Sequence, residues 1–211
     1  LGLRKSLIAV SHECDFPNDV TSLPRITSSI IPDNLSSNQI DASVEKAVRN
    51  GDALYQINGD LLSKLKPDLI ITQGICDVCA VNVGTVQETM LLLPDLVKKN
   101  VQILSLSGKN FSGILNDINQ VAVATKTQNE ANRLTQKLRQ HWQQLQQTQS
   151  MTKPAVLMLE WPNPFFFGGH WVPEMIEVAG GVDVMGQTGL DSGRCTFKEI
   201  QEKDPDIIIS I

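Results

Sequence analysis

Cysteine and histidine side chains occur at spacings that allow metal binding, thiol redox chemistry or a local disulfide. Cys76 and Cys79 form a C-x-x-C pair, and Cys14 follows His12 by two residues. Thiolate sulfur and imidazole nitrogen both ligate metals, and neighbouring thiols can also oxidise to a disulfide. A metal site formed by Cys14, Cys76 and Cys79 is therefore a tentative interpretation, with a disulfide or buried thiols as the alternatives.

Aromatic residues are concentrated in one short segment. The chain has 3 Trp, 6 Phe and 1 Tyr, and five of these, together with His170, fall between positions 161 and 171. Large aromatic faces suit a flat, partly apolar ligand, so we expect Trp161, Phe166 and Trp171 to pack against one. Three consecutive side chains cannot all face a ligand, so part of the run at 165–167 must pack beneath it.

These residues follow predicted strands at 7–10, 69–72 and 155–159. In open α/β sheets, ligands bind beyond the carboxyl ends of the strands. The residues predicted to contact a ligand are His12, Glu13, Cys14, Gln73, Cys76, Cys79, Trp161, Phe166, His170 and Trp171. Glu13 and Glu160 could instead be the paired carboxylates of a hydrolase, but no nucleophile or phosphate-binding glycine loop accompanies them.

Two segments repeat one pattern, a short amphipathic helix followed by Pro-Asp and an aliphatic strand. They cover 61–72 and 199–210. Proline ends the helix, and the apolar run is typical of a strand buried on both faces of a parallel sheet. The repeat predicts two α/β lobes, at 1–110 and at 151–211, the second incomplete. A two-lobed protein has a cleft in which a ligand can bind.

The remaining pattern alternates helices with strands, which indicates parallel sheets. Helices are predicted at 40–50, 59–65, 84–93 and 173–179, further strands at 101–106 and 207–210, and irregular chain at 18–38. From 111 to about 149, apolar residues recur at helical spacing, which predicts one rigid helix joining the lobes within 111–150. The alternative is two helices broken near Gln128 and Asn129.

Composition excludes several classes of protein. The apolar fraction of 41% and charged fraction of 19% are typical of soluble globular domains. A net charge of -5 argues against a nucleic-acid partner. No apolar run reaches the roughly 20 residues that cross a bilayer. Residues 1–4 look like the end of a helix and Ile211 follows a predicted strand, so we expect both ends to be cut.

Four segments together resemble the vitamin B12 (cobalamin) binding proteins of ABC importers, in the larger group that also carries iron-siderophores and haem. They are VSHECDFP at 10–17, LKPDLIITQ at 65–73, CDVCAV at 76–81 and GHWVPEMIEVAGG at 169–181. The resemblance covers nearly the whole chain. It implies an α/β fold of two Rossmann-like lobes with parallel sheets, joined by a long rigid helix, with the ligand between them and little hinge motion.

The resemblance also implies a non-enzymatic, monomeric solute-binding protein that works outside the inner membrane. Its ligand would be cobalamin or another tetrapyrrole, with no resident cofactor. His12, Gln73 and His170 would offer polar contacts or an axial ligand to the ligand's metal. In such a compartment a Cys76–Cys79 bridge, or a bridge from Cys14 to either, would be expected.

Delivery to the membrane permease of an ABC importer is implied as well. The nearest candidates for the docking role are Glu88 and either Glu174 or Glu177, with ordinary solvent-exposed helix residues as the alternative for each. The chain departs from the best-known B12 binders at Gln73 and near Ser28 and Ser29, where those proteins have aromatics. A metal-ion or siderophore binder using the Cys/His cluster, or a thiol- or metal-dependent enzyme on the same cleft, therefore remains an alternative.

Overall fold

Helices and strands alternate along almost the whole chain, and the α/β class predicted from the sequence is confirmed. The structure is a computed structural model that describes residues 1–76, 81, 83–147 and 152–211. The chain divides into two units. Unit 1 comprises Leu1–Leu35 and Ala42–Leu106, and unit 2 comprises Ser36–Asp41 and Ser107–Ile211. Among the described residues, no helix is both long enough and apolar enough to span a bilayer.

Unit 1 contains two small sheets and the helices that cover them. Its elements, with the first turn of α1 grouped with unit 2, are α1 (Ser37–Asn50), α2 (Gly59–Leu65), α3 (Val83–Leu91), α4 (Pro94–Lys99), β1 (Thr27–Ser29), β2 (Tyr55–Ile57), β3 (Leu69–Gln73) and β4 (Gln102–Leu106). Strands β3 and β4 pair in parallel, and β1 pairs antiparallel with β2. Two short 3₁₀ helices, Arg4–Ser6 and Asn18–Ser22, precede β1.

Unit 2 is built around one long strand. Its elements are α5 (Phe111–Thr125), α6 (Gln128–Gln147), α7 (Val172–Val178), α8 (Phe197–Lys203), β5 (Ala155–Pro162), β6 (Phe165–Phe167), β7 (Val182–Asp183), β8 (Gly193–Arg194) and β9 (Ile207–Ser210). Strand β5 pairs in parallel with β7 and β9 and antiparallel with β6, which in turn pairs antiparallel with β8.

Each unit has a hydrophobic core of its own. In unit 1, one cluster of buried residues is formed by Leu62, Val86, Met90 and Leu96. In unit 2, another is formed by Leu157, Leu159, Cys195 and Ile200. Leu96 and Leu157 are both 0% exposed, so each lies at the centre of its cluster.

The two Pro-Asp segments fold as predicted in their secondary structure but not in their burial. Helix α2 leads into β3 and helix α8 leads into β9. Lys66 and Asp204 end the two helices in the left-handed region, with φ of 49° and 44°. However, all four residues of β9 are exposed, because β9 pairs with β5 along one edge and no described element covers its faces.

The prediction of one long helix at 111–149 is wrong, and the two-helix alternative is confirmed. Lys126 adopts a left-handed conformation with φ of 57°, and the N–H of Thr127 donates to Ala122 O at 2.8 Å, which ends α5. The rings of Phe111 and Trp142 then stack with centroids 4.0 Å apart. In a continuous helix these residues would lie about 45 Å apart. Residues 148–151 lie outside the described part of the chain.

Two further predictions need correction. Residues 7–10 are not a strand, since only Val10 forms a bridge, to Arg25, and the residues before it have no strand partner. The segment 18–38 is not wholly irregular, because it includes a 3₁₀ turn and β1. The aromatic run at 165–167 is a strand, β6, joined to β5 by the two-residue turn Asn163–Pro164.

Candidate functional site

The first predicted ligand residues lie in a loop of unit 1 that is held by an arginine. Arg25 Nη1 donates to Ser11 O at 2.7 Å and also to Cys14 O. The backbone N–H of His12 donates to Thr27 Oγ1 at 3.0 Å, and His12 Nδ1 lies 2.7 Å from the same oxygen. Both the backbone and the ring of His12 are therefore fixed on β1.

The other ring nitrogen of His12 has no hydrogen-bond partner among the residues that the structure describes. Nε2 is buried and lies 3.2 Å from Glu13 Oε1, near enough for charge interaction but without hydrogen-bond geometry. The imidazole is tilted against the ring of Tyr55, with centroids 5.3 Å apart. Burial, and then the negative charge of Glu13, raise the pKa of Tyr55 above its ordinary value of 10.0.

Gln73 lies at the end of β3, and the chain turns directly after it. The N–H of Gly74 donates to Leu106 O at 2.7 Å, and a side chain at Gly74 would collide with Ser105 Oγ. A larger residue where the cysteine segment leaves the sheet would therefore require the Ser105 hydroxyl to move. Gln73 itself is half-buried.

The cysteines do not form a thiolate cluster. Cys76 is disulfide-bonded, so its sulfur is not a thiolate ligand, while Cys14 is a free thiol with Sγ 3.3 Å from Ser11 Oγ. Cys79 lies outside the described residues. Within the described part of the chain, no three His, Cys, Asp or Glu side chains are grouped to hold a metal ion.

In unit 2, three planar side chains form a row across neighbouring strands. Trp161 of β5 lies opposite Phe166 of β6, which lies opposite Arg194 of β8. Cross-strand partners share a face of the sheet, so indole, phenyl and guanidinium lie side by side. We call Trp161, Phe166 and Arg194 the planar row.

Hydrogen bonds and charge fix both ends of the planar row. Arg194 Cζ lies 5.3 Å from the centroid of the Phe166 ring, which is a cation–π contact. Arg194 Nη2 donates to both carboxylate oxygens of Asp41, at 2.8 and 2.9 Å. At the other end, Trp161 Nε1 donates to Asn163 O at 3.1 Å.

A β-bulge at Glu160 decides which side chains join the planar row. Leu159 pairs with Phe167 and Trp161 pairs with Phe166, so the register shifts by one residue between them. The extra residue turns Trp161 to the face opposite Leu159. Phe165 and Phe167 consequently pack against the core of unit 2, and of the three phenylalanines only Phe166 joins the row.

His170 is the most constrained of the predicted ligand residues. Its φ is 54°, and two backbone hydrogen bonds hold it there: its N–H donates to Leu190 O at 2.6 Å, and Gly189 N–H donates to its carbonyl at 2.8 Å. Its Nε2 lies 3.3 Å from Asp191 Oδ1. Lys109 Nζ lies 2.6 Å from the same oxygen. The hydrogen bond and charge of Lys109, and to a smaller extent His170, lower the pKa of Asp191.

Trp171 and Glu160 have positional roles beside His170. Trp171 is the N-cap residue of α7, and its ring centroid lies 6.0 Å from that of His170. Ser192 Oγ donates to Glu160 Oε2 at 2.7 Å and accepts from Gly169 N at 3.1 Å. Glu160 therefore holds the glycine loop in place, which gives no support to its pairing with Glu13 in a hydrolase.

The three acidic residues predicted for docking differ in their surroundings. Glu88 on α3 and Glu177 on α7 are exposed. Glu174 is half-buried, and its Oε2 accepts the N–H of Phe111 at 2.7 Å, at the first residue of α5. Glu174 and Glu177 line a shallow pocket in unit 2 together with Trp142, Gln146, Lys153 and Val178.

Sequence reasoning missed Arg194, Asp41, Lys109 and Asp191. Each is an ordinary charged residue in its local sequence, and only strand register or loop packing brings it to a predicted ligand residue. The turn residues Asn163 and Pro164 were the available signal, because Asn-Pro between apolar runs predicts a hairpin and hence the pairing of β5 with β6.

The chain matches known proteins through a family model and through fold. The model of the family described as periplasmic binding protein matches residues 20–210, so the chain belongs to that family. Among curated proteins, no relative matches the chain. The group of ABC-importer binding proteins predicted from the resemblance is thereby confirmed.

Solved structures share the fold at low identity. The periplasmic vitamin B12 binding protein BtuF of Vibrio cholerae has a TM-score of 0.63 and 19% identity, over 99% of this chain and 69% of that one. The periplasmic haem binding protein HutB of Vibrio cholerae has a TM-score of 0.68 and 18% identity, over 99% of this chain and 69% of that one. A possible iron-binding (periplasmic solute-binding) protein from Staphylococcus epidermidis has a TM-score of 0.63 and 18% identity, over 96% of this chain and 67% of that one.

Proposed function

We propose that this periplasmic binding protein is a non-enzymatic carrier of a flat macrocycle, a corrinoid or a related tetrapyrrole, and delivers it to an ABC permease outside the cytoplasmic membrane. The observation that carries the proposal is the planar row of unit 2. Three planar groups lie side by side on one face of the sheet, opposite the face that packs into the core. A flat ligand can lie against such a surface over most of its area.

In each unit, a histidine at a predicted ligand position would offer such a ligand a polar contact. His12 and His170 each hold a buried Nε2 that makes no hydrogen bond within the described structure. Buried polar atoms are ordinarily paired, so an unpaired one at a predicted ligand position favours a partner supplied by the ligand. Cobalamin amides and haem carboxylates both carry such partners, and the solved relatives named above include binders of each kind.

Thiol-based alternatives lose support from the cysteines. A metal carrier or a thiol enzyme built on the cluster would use sulfur from Cys76, but that sulfur is disulfide-bonded. Disulfides form and persist in oxidising compartments, so the disulfide at Cys76 agrees with extracytoplasmic placement.

For docking to the permease, Glu88 and Glu177 are the better candidates of the three acidic residues. Both are exposed, whereas Glu174 is half-buried. A charge at the rim of a transient interface mainly affects the rate of association.

The test is a titration with cobalamin, haem and a ferric chelate, followed by visible absorbance and quenching of tryptophan fluorescence. We expect at least one tetrapyrrole to bind, and Phe166→Leu to weaken it about tenfold through the lost aromatic face. Phe197→Leu is the matched control, since Phe197 lies on α8 and is 61% exposed. If no corrinoid or tetrapyrrole bound, or if both variants weakened binding equally, the proposal would be wrong.

A further inference from the structure

In unit 2, the side chains of Lys109 and His170 both lie close to one carboxylate oxygen of Asp191. Lys109 Nζ lies 2.6 Å and His170 Nε2 lies 3.3 Å from Asp191 Oδ1. The side chain of His170 is 14% exposed, whereas that of Asp191 is 72% exposed. Lys109 donates a hydrogen bond to that oxygen, whereas His170 Nε2 lies beside it without hydrogen-bond geometry. The anion at this position is the most exposed member of the three.

Hydrogen bonds anchor the backbone around both Lys109 and His170. On one side of Lys109, Gly108 N–H donates to Asp117 Oδ2 at 2.7 Å, and on the other, Phe111 N–H donates to Glu174 Oε2 at 2.7 Å. His170 is fixed by its two backbone hydrogen bonds to residues 189 and 190.

The acceptor is not constrained in the same way. Asp191 makes no side-chain hydrogen bond to the backbone among the described residues, and its carboxylate contacts only Lys109 and His170 there. Exposed ion pairs contribute little to stability, so this carboxylate can turn into solvent at small cost. The anchored backbone at Lys109 and His170 would remain where it is.

We propose that Asp191 occupies the position of an anionic group of the ligand, and that Lys109 and His170 bind this group when Asp191 turns away. The group is an oxyanion, either a carboxylate or a phosphate, because an ammonium and an imidazole N–H are both donors to such oxygens. The inference rests on the proposed tetrapyrrole-binding function and specifies one subsite of it. Trp171, whose ring lies beside His170, would place the flat part of the ligand next to that subsite.

The test compares each anionic ligand with a counterpart that lacks its anionic group. Haem is compared with its dimethyl ester, which has no free carboxylates, and cobalamin with cobinamide, which lacks the nucleotide and with it the phosphate. We expect Lys109→Gln to weaken binding of the anionic member of the preferred pair about tenfold. Asp191→Asn removes the competing anion and should tighten the same ligand about twofold to fivefold. Neither substitution should change the affinity for the ligand that lacks the anion. If haem and its ester are the pair that binds, the group is a carboxylate, and if cobalamin and cobinamide are, it is a phosphate.

Opposite signs for the two variants are the diagnostic result, because a merely structural ion pair would give weaker binding in both. Lys109→Arg keeps the charge and should retain most of the affinity, and Lys98→Gln, at an exposed lysine of α4, controls for loss of one positive charge. Equal effects on the neutral ligand, or weaker binding in Asp191→Asn, would overturn the subsite while leaving the carrier function intact. Absence of binding by all four ligands would instead refute the carrier function, and the subsite with it.

Discussion

Tyr55 shows at the scale of one residue how the loop of His12 affects its neighbours. Its ring packs against His12, and burial and the charge of Glu13 both raise its pKa. The folded state therefore binds the phenolic proton more tightly than the unfolded chain does. This contribution to stability is complete below the ordinary pKa of 10.0 and is lost as the pH rises through the higher folded value.

The chain has a single tyrosine, so tyrosinate absorbance in an alkaline titration reports Tyr55 alone. We expect the midpoint to lie above 10.0 in the folded protein. Glu13→Gln should lower it only in part, because burial is the larger cause and remains. A midpoint of 10.0 in the unsubstituted protein would contradict this account, and so would a return of the midpoint to 10.0 in Glu13→Gln. Asp15→Asn, a nearby exposed carboxylate, is the control.

At the scale of elements, the end of α5 depends on an unfavourable residue. Lys126 adopts a left-handed backbone that costs a non-glycine residue about 1 kcal/mol. Glycine takes this conformation without that cost, so Lys126→Gly should raise the free energy of unfolding by roughly 0.5–1 kcal/mol. Denaturant unfolding measures the change.

The same substitution inside the next helix provides the control. Lys137 is an exposed residue within α6, where glycine is about 1 kcal/mol less favourable than a good helix former. Lys137→Gly should therefore destabilise the protein. If both variants shifted stability in the same direction, α5 would not end at Lys126 in solution.

Elements whose ends are marked by local residues could be predicted from the sequence, and elements that depend on distant partners could not. Proline and aliphatic runs were sufficient for α2, β3, α8 and the position of β9. Residues 7–10 have the composition of a strand, but a strand also needs a neighbour. No glycine or proline marks the break at Lys126, so the helical spacing of apolar residues continues through it.

For the candidate site, the sequence predicted residue types better than their arrangement. The aromatic concentration was visible, and alternation required that some phenylalanines pack inward. However, strict alternation would place Trp161 on the same face as Leu157 and Leu159, and only the bulge at Glu160 reverses it. Arg194 joins the planar row through strand pairing, which no local pattern reveals.

At the scale of the whole molecule, two separate cores imply two separable contributions to stability. Leu96→Ala and Leu157→Ala each remove a fully buried side chain, and each should cost about 2–5 kcal/mol. Because the clusters share no residue, we expect each variant to increase amide hydrogen exchange mainly in its own unit. An equal increase throughout the chain in both variants would show that the units unfold together. Leu91→Ala, at an exposed leucine, is the control.

The alternation within β6 separates two properties that mutations usually change together. Positions 165 and 167 contribute to the folding of unit 2, whereas position 166 belongs to the planar row on the other face of the sheet. Under the proposed function, a substitution at 166 would therefore alter which ligand is preferred without weakening the core. In evolutionary terms, a lineage with this strand could move between related macrocycles by single steps, each of which leaves a folded protein for the next step to act on.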